Sequence, residues 1–408
     1  MNRDAALRRL EQEQFDVLIV GGGATGLGAA LDAAARGYRT ALIEARDFGS
    51  GTSSRSTKLI HGGVRYLRQG NLRLVHEALY EREILRRNAP DMVAARAFVI
   101  PARHWWEIPY YAAALVAYDV LAGRSSFPRS RIVSAANARR AFPALAASGL
   151  RGGVIYYDGQ FNDARLALAI ARAASERGAV LASDVRAQAF VRDLGDRIAG
   201  VRAVEQRSGA EMIVRARVAI NAAGPFADVV RALDDPSSKP LLALSRGSHI
   251  LVPAERLGSP DAALLVPRTA DGRVLFAIPW QRQVMIGTTD VPVDAPVADP
   301  SASDEEIAYI LGTVNAVLAA PLSRSDVSAT FAGLRPLLRR DARMTSNLSR
   351  EHLVEISPSG LVTITGGKWT TYRKMAADAV DAAARVAHLA PARSTTAEIP
   401  LNDRGEPP

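Results

Sequence analysis

The chain has 408 residues, 48% of them hydrophobic and 23% charged, which is the balance of a folded protein of two or three domains and not of a disordered one. It contains no cysteine, which excludes disulfides, thiolate zinc sites, thiol nucleophiles and Cys-ligated iron–sulfur clusters. With 51 Lys plus Arg against 42 Asp plus Glu, the net charge of +9 suits an anionic small molecule, a membrane surface or nucleic acid and does not choose among them.

Met1 to Gln14 mixes charges with Leu and Ala, reads as an amphipathic lead helix or a frayed end, and lacks the apolar stretch of a signal peptide, so export is not expected. Phe15 to Val20 is a continuous apolar run of the kind buried in a parallel sheet. Ala24 to Gly37 follows with Leu27, Ala30, Leu31 and Ala34 on one helical face, and Tyr38 to Glu44 is again strand-like. Together they make one βαβ unit with a right-handed crossover. Ile108 to Leu121 is too short and too interrupted to span a bilayer. It reads as a buried amphipathic helix in preference to one lying on a membrane beside Trp105, Trp106 and Arg124.

Asp163 to Arg177 has helical spacing, Val180 to Ser183 is strand-like, and Arg186 to Val191, Ile198 to Glu205 and Glu211 to Val214 predict a meander. Val218 to Asn221 predicts a further buried strand, ending in the turn Ala222 to Pro225. Leu361 to Thr365 and a helix from about Trp369 to Leu389 repeat the strand–turn–helix theme. Between these lie regions rich in Arg, Pro and aromatics, with strands at His249 to Val252, Arg273 to Ile278 and Gln283 to Gly287. The predicted fold is α/β: a discontinuous nucleotide-binding domain (15–70, 155–235 and 350–390) carrying a substrate domain inserted twice (71–154 and 236–349). Asp234 to Pro240 is the expected linker and 391–408 a polar tail.

Gly21, Gly23 and Gly26 form G-x-G-x-x-G between the first strand and its helix. This spacing serves a tight turn, the approach of a pyrophosphate to backbone, and close helix–strand packing. Glu44, at the end of the second strand, is placed to accept a ribose 2′-hydroxyl and argues against NADP. NAD and FAD share this fingerprint. The hydroxyl-rich loop Ser50 to Lys58, carrying Thr52, Ser53, Ser54, Ser56 and Thr57, returns to His61, Gly62 and Gly63 and could line a pyrophosphate and an isoalloxazine ring; a polar surface loop is the blander account. Gly366, Gly367 and Lys368, with Thr370 just beyond, open the last long helix, whose N-terminus would stabilise negative charge on a reduced flavin. Ala223 and Gly224 could close over the adenine side. The six His show no paired metal-ligand spacing, so no metal is expected.

The runs Gly49 to Arg68 (GSGTSSRSTKLIHGGVRYLR), Asn221 to Pro225, Gly287 to Asp290 (GTTD), Gly333 to Pro336 (GLRP) and Gly366 to Lys374 (GGKWTTYRK) are similar to those of the FAD-dependent glycerol-3-phosphate dehydrogenase family, within the D-amino-acid-oxidase-like flavoproteins. The resemblance runs from Asp16 to about Ala384. It implies a Rossmann-like FAD-binding domain with an α+β substrate domain on an antiparallel or mixed sheet. It also implies oxidation of sn-glycerol 3-phosphate to dihydroxyacetone phosphate, hydride transfer from C2 to flavin N5, and electrons passed to membrane quinone.

By the same resemblance Arg65, Arg335 and Arg350 are candidate phosphate ligands, Lys368 and Tyr66 lie near the anion or the glycerol hydroxyls, and His249 is the candidate base, with Arg335 and Lys368 completing the catalytic set. A structural histidine is the competing account of His249. Many relatives continue into a further helical domain that this sequence lacks, so membrane docking and dimerisation stay open. The implied location is the cytoplasm, with peripheral contact at the inner face of the membrane, and no nucleic-acid partner is expected. The alternative is an FAD-dependent oxidase or dehydrogenase of an amine, amino acid or hydroxy acid, whose carboxylate would need fewer guanidinium contacts.

Overall fold

The apolar run at the start does become a buried central strand. In a computed structural model that describes residues 2–63, 71–123, 125–267, 269, 272, 274–339 and 352–402, Gln14–Val20 pairs in parallel with Thr40–Ile43 on one side and Glu211–Asn221 on the other. Val180–Ala182 extends this sheet beyond Thr40–Ile43, and Val362–Gly366 extends it beyond Glu211–Asn221, both in parallel. His352–Ile356 adds an antiparallel edge. Helices Ala24–Ala35, Asp163–Glu176 and Tyr372–Val386 cover one face, and their small residues let them pack closely against Val17, Ile19, Val218 and Ile220. The sequence predicts two strands at 211–214 and 218–221, but they form one strand of 11 residues. Its first half pairs antiparallel with Ile198–Glu205, which pairs in turn with Val185–Arg192.

The second sheet is built mainly from antiparallel pairs. Leu242–Pro253 lies between Gln283–Gly287 and Ala329–Leu338, with Val291–Val293 along its first half, and Leu275–Trp280 and Ala263–Val266 continue the sheet from Gln283–Gly287. Ala263–Val266 joins Val93–Ala102 in parallel, and Val93–Ala102 pairs along its length with Gly152–Phe161. Leu59–Ile60 pairs with the end of Gly152–Phe161, so the residues on both sides of the domain limits expected near 70 and 155 lie in this sheet. The first sheet is thus tied to the second through the loop that leaves Ile43 and arrives at Leu59.

Two segments depart from expectation. Helix Glu107–Leu121 buries only the stripe Tyr111, Leu115 and Tyr118, while Tyr110, Val116 and Val120 face outward and Trp105 just before it is 79% exposed. It is a surface helix with an apolar outer side, not the buried helix predicted. The polar stretch after 391 is not a loose tail either: Ile399 and Leu401 are buried, the Leu401 N–H bonds Asn88 O, and Asn88 Nδ2 bonds Thr396 O. Among the described residues no helix is long and apolar enough to cross a membrane.

Candidate active site

The glycine turn after the first strand is set by what surrounds it. Gly21 has φ +113°, and a Cβ there would sit 2.6 Å from Ala222 O; a Cβ on Gly26 would sit 1.9 Å from Gly21 O. These two glycines therefore serve the packing of helix, turn and neighbouring strand. Gly23 differs, because a Cβ would meet only Ser53 Oγ, at 3.1 Å. Its surroundings are a cavity of about 740 Å³. The cavity runs from Gly21, Gly23 and Glu44 past Thr52 and Ser53 to Ala223, Gly224, Gly366, Gly367 and Lys368. The glycine turns, some 340 residues apart in the chain, thus line one space. Pro296, Val297, Ala298 and Pro300 form a strap along it. Asp299, between them, pairs with Arg46 at 2.8 Å and Arg55 at 2.6 Å, and these two half-buried guanidiniums hold its carboxyl below the usual range.

Glu44 lies at the cavity wall with its carboxylate already held: Gly22 N–H donates at 2.6 Å and Arg46 N–H at 2.8 Å. Burial pushes its carboxyl up and the two amides oppose this. The remaining lone pairs are those a ribose hydroxyl would use. Ser53 Oγ accepts the Ala24 N–H at 2.8 Å, at the helix N-terminus where a pyrophosphate is expected. Thr52 Oγ1 donates to Leu334 O at 2.6 Å. Ser54 turns back on its own loop toward Gly51 O, and Thr57 turns to His249; neither lines the cavity.

The loop that holds these hydroxyls is fastened from below. Asp163, fully buried at the start of its helix, accepts the Ser56 N–H at 3.1 Å and Oγ–H at 2.7 Å and pairs with Lys58 Nζ at 2.6 Å. Gly333 lets the loop lie close on the second sheet, since a Cβ there would stand 2.9 Å from Arg55 O. Trp369 Nε1 donates to Ser53 O at 2.8 Å, and the His61 N–H donates to Thr370 Oγ1 at 3.2 Å. The two most distinctive runs of the sequence, 49–63 and 366–374, are therefore knitted together by bonds from side chains of the second to the backbone of the first. His61, Gly62 and Gly63 do not line the cavity themselves but adjoin its Lys368–Trp369 end through Thr370.

Leu334 and Pro336 face the cavity, whereas Arg335 between them belongs to the other side of its strand, where the pairs Ser245–Arg335, Gly247–Gly333 and His249–Phe331 lie in register. The Arg335 guanidinium fills the space above Gly247. It donates to Thr288 Oγ1 at 2.8 Å and Thr289 O at 3.0 Å and pairs with Asp290 at 3.3 Å. His249 is 2% exposed and stacks on Phe331 with ring centres 4.7 Å apart. Its Nε2 lies 3.0 Å from Thr57 Oγ1, and its buried Nδ1 has no partner among the described residues. Burial, then the charges of Arg335 and Lys58, push its pKa down to about 3, so the imidazole is neutral at physiological pH. Arg65, Tyr66 and Arg350 lie outside the described residues. Sequence reasoning did not single out Asp163 and Asp299: an Asp opening a helix and an Asp in a Pro-rich loop have unremarkable local patterns, and their roles come from chain folded back from elsewhere.

A model of the FAD dependent oxidoreductase family matches residues 16–373. Glycerol-3-phosphate dehydrogenase 2 of Mycobacterium tuberculosis (strain ATCC 25618 / H37Rv) is 47% identical over 401 residues, 98% of this chain and 68% of that protein. The chain belongs to the FAD-dependent glycerol-3-phosphate dehydrogenase family. The mitochondrial glycerol-3-phosphate dehydrogenase of Homo sapiens is 43% identical over 412 residues, covering 97% of this chain and 56% of that one. The crystal structure of the glycerol-3-phosphate dehydrogenase from Bacillus halodurans complexed with FAD superposes with a TM-score of 0.79 at 34% identity, over 98% of this chain and 70% of that chain. The residues present fit that cofactor: a side-chain-free approach at Gly23, a helix N-terminus beside it, a carboxylate at the second strand's end, and a cavity long enough to join both glycine turns.

Proposed function

We propose that this chain oxidises sn-glycerol 3-phosphate to dihydroxyacetone phosphate and passes the electrons to membrane quinone. The observation that carries this reading is the 47% identity to a named glycerol-3-phosphate dehydrogenase across 98% of the chain. FAD, when bound, supplies the acceptor for the C2 hydride. The chain's own residues have three tasks. Arg335 offers a permanently charged, forked donor to the phosphate dianion, together with Arg65 and Arg350 as proposed ligands; Lys368 and Tyr66 are proposed for the anion or the glycerol hydroxyls. His249 takes the C2 hydroxyl proton on Nδ1, which has no partner among the described residues, with Thr57 fixing the ring through Nε2. A dianion at Arg335 offsets one of the charges that depress His249, so substrate binding raises the affinity of the imidazole for the proton it must take.

Further parts of the reading rest on placement. Sheet membership supports a nucleotide-binding unit of about 15–58, 162–235 and 352–390 and a substrate unit of about 59–161 and 236–339. The outward Trp105, Tyr110, Val116 and Val120 support peripheral contact with the inner face of the cytoplasmic membrane, where a quinone would be met. The test is a substrate panel under anaerobic conditions, read by flavin bleaching. Bleaching by glycerol 3-phosphate and not by glycerol, amino acids or hydroxy acids supports the reading, and bleaching by an amino acid alone refutes it.

A further inference from the structure

We propose that Tyr118, backed by Asp158 and Arg82, is a positioning residue that clamps the backbone of Gly62 and so fixes the His61–Gly63 loop at the redox end of the cavity; this rests on the reading that the loop flanks the bound FAD ring. The Gly62 N–H donates to Tyr118 Oη at 2.8 Å. Tyr118 Oη in turn donates to Asp158, 2.8 and 2.9 Å from its two oxygens. Arg82 pairs with Asp158 at 2.5 Å and also donates to Tyr157 O at 3.3 Å. All three side chains are buried.

The direction of each bond follows from counting protons. Burial raises the Tyr118 pKa well above its ordinary value, so the phenol keeps its single proton. That proton goes to Asp158, which leaves the phenol's lone pairs as the acceptor of the Gly62 amide. Burial pushes the Asp158 carboxyl up, and Arg82 opposes it most strongly. The identity of Gly62 has the same origin: a Cβ there would lie 2.7 Å from both Tyr118 Oη and Leu79 Cγ, so only glycine allows the amide to reach the phenol.

The loop is thus held at two neighbouring amides by two different elements. Thr370, from the segment that lines the cavity, takes the His61 N–H, and Tyr118, from the surface helix Glu107–Leu121, takes the Gly62 N–H. A buried charge pair is an expensive foundation for one amide unless the position of that amide matters. Neither Tyr118, Asp158 nor Arg82 lines the cavity that joins the two glycine turns, and the bond from Gly62 N–H to Tyr118 Oη is their link to the loop beside it, so they act through that loop.

The test compares the holoprotein, Tyr118→Phe and Thr370→Val by amide hydrogen exchange of the 59–63 segment and by the rate of FAD release. Tyr118→Phe should accelerate exchange at Gly62 and release of FAD by roughly tenfold or more, the fold-change of a buried donor left unmade. If Thr370→Val accelerates release and Tyr118→Phe changes neither readout, the clamp is refuted while the loop's place beside the cofactor stands. If neither variant alters release, that placement fails and the proposal with it. Should Tyr118→Phe not fold, the wild-type protein decides: a Gly62 amide protected like the sheet core supports the clamp, and one exchanging like an exposed loop amide overturns it.

Discussion

Replacing Gly23 and Gly26 by alanine separates two roles that a shared motif hides. At Gly26 the new methyl would lie 1.9 Å from Gly21 O, and the blocking atom is backbone, so helix Ala24–Ala35 must move away from the strand by about 1 Å to reach a tolerable contact. Forced overpacking of this kind costs ~1–3 kcal/mol, and a displaced helix makes the upper end the expectation. At Gly23 the methyl meets only Ser53 Oγ at 3.1 Å, and the residue is the helix N-cap with φ −78°, a conformation open to alanine. The cost to the apoprotein is that of a weaker cap, below about 1 kcal/mol. FAD pays instead, because the methyl stands where the pyrophosphate must approach the helix N-terminus. Losing an anion–helix interaction worth up to ~2 kcal/mol weakens binding by roughly tenfold to thirtyfold. Thermal unfolding of the apoproteins and FAD titration by fluorescence quenching read the two effects separately. A Gly23→Ala protein with wild-type FAD affinity, or one destabilised as much as Gly26→Ala, would refute the assignment.

Arg335→Ala should raise KM for glycerol 3-phosphate by roughly 10- to 150-fold, the worth of a hydrogen bond to a charged group, with FAD content preserved; Arg335→Lys should recover only part, since the forked geometry is lost. An unchanged KM in steady-state kinetics would remove its phosphate role. Because His249 is held near 3 in the fold and titrates near 6.5 when unfolded, the unfolded chain binds the extra proton between these values, and stability must fall as pH drops from about 6.5 toward 3. The slope approaches ~1.4 kcal/mol per pH unit, and His249→Gln should flatten it between pH ~4.5 and ~6.5, above the range where carboxylates titrate. Equal acid slopes for wild type and variant in thermal unfolding would contradict the burial argument. Asp299→Asn should unfasten the strap: FAD release should quicken at low salt and lose its dependence on ionic strength, whereas wild-type release should accelerate with added salt. Stopped-flow release rates that are salt-independent in both proteins would deny the strap a role.

The βαβ start was legible because each of its signals is local: an apolar run, a 3.6-residue stripe and glycines at the turn between them. Glu44 was legible for the same reason, although the two amides that already occupy it were not. The fusion of 211–214 and 218–221 into one strand was hidden, because Arg215 and Arg217 read as a break when only neighbours in sequence are considered. In the fold these alternate residues belong to a half-exposed strand whose partners are Gln14–Val20 and Ile198–Glu205. Helix Glu107–Leu121 misled in the opposite way: its composition is apolar enough for burial, but only one stripe finds a partner. Thr57 was legible as a hydroxyl but not as the partner of His249, 192 residues away, and the clasp of Asp299 with Arg46 and Arg55 has no sequence signature. Such contacts exist only because segments far apart in the chain fold against the 44–58 loop, Gly333 of the second sheet among them at Arg55 O.

A crystal structure of the protein with FAD and an unreactive glycerol 3-phosphate analogue should show the adenosine half beside Gly23 and Glu44, the ring between the 366–368 turn and the 61–63 loop, and the phosphate on Arg335 with the C2 oxygen facing His249 Nδ1. A ring placed away from either turn, or a phosphate with no contact to Arg335, would contradict this arrangement.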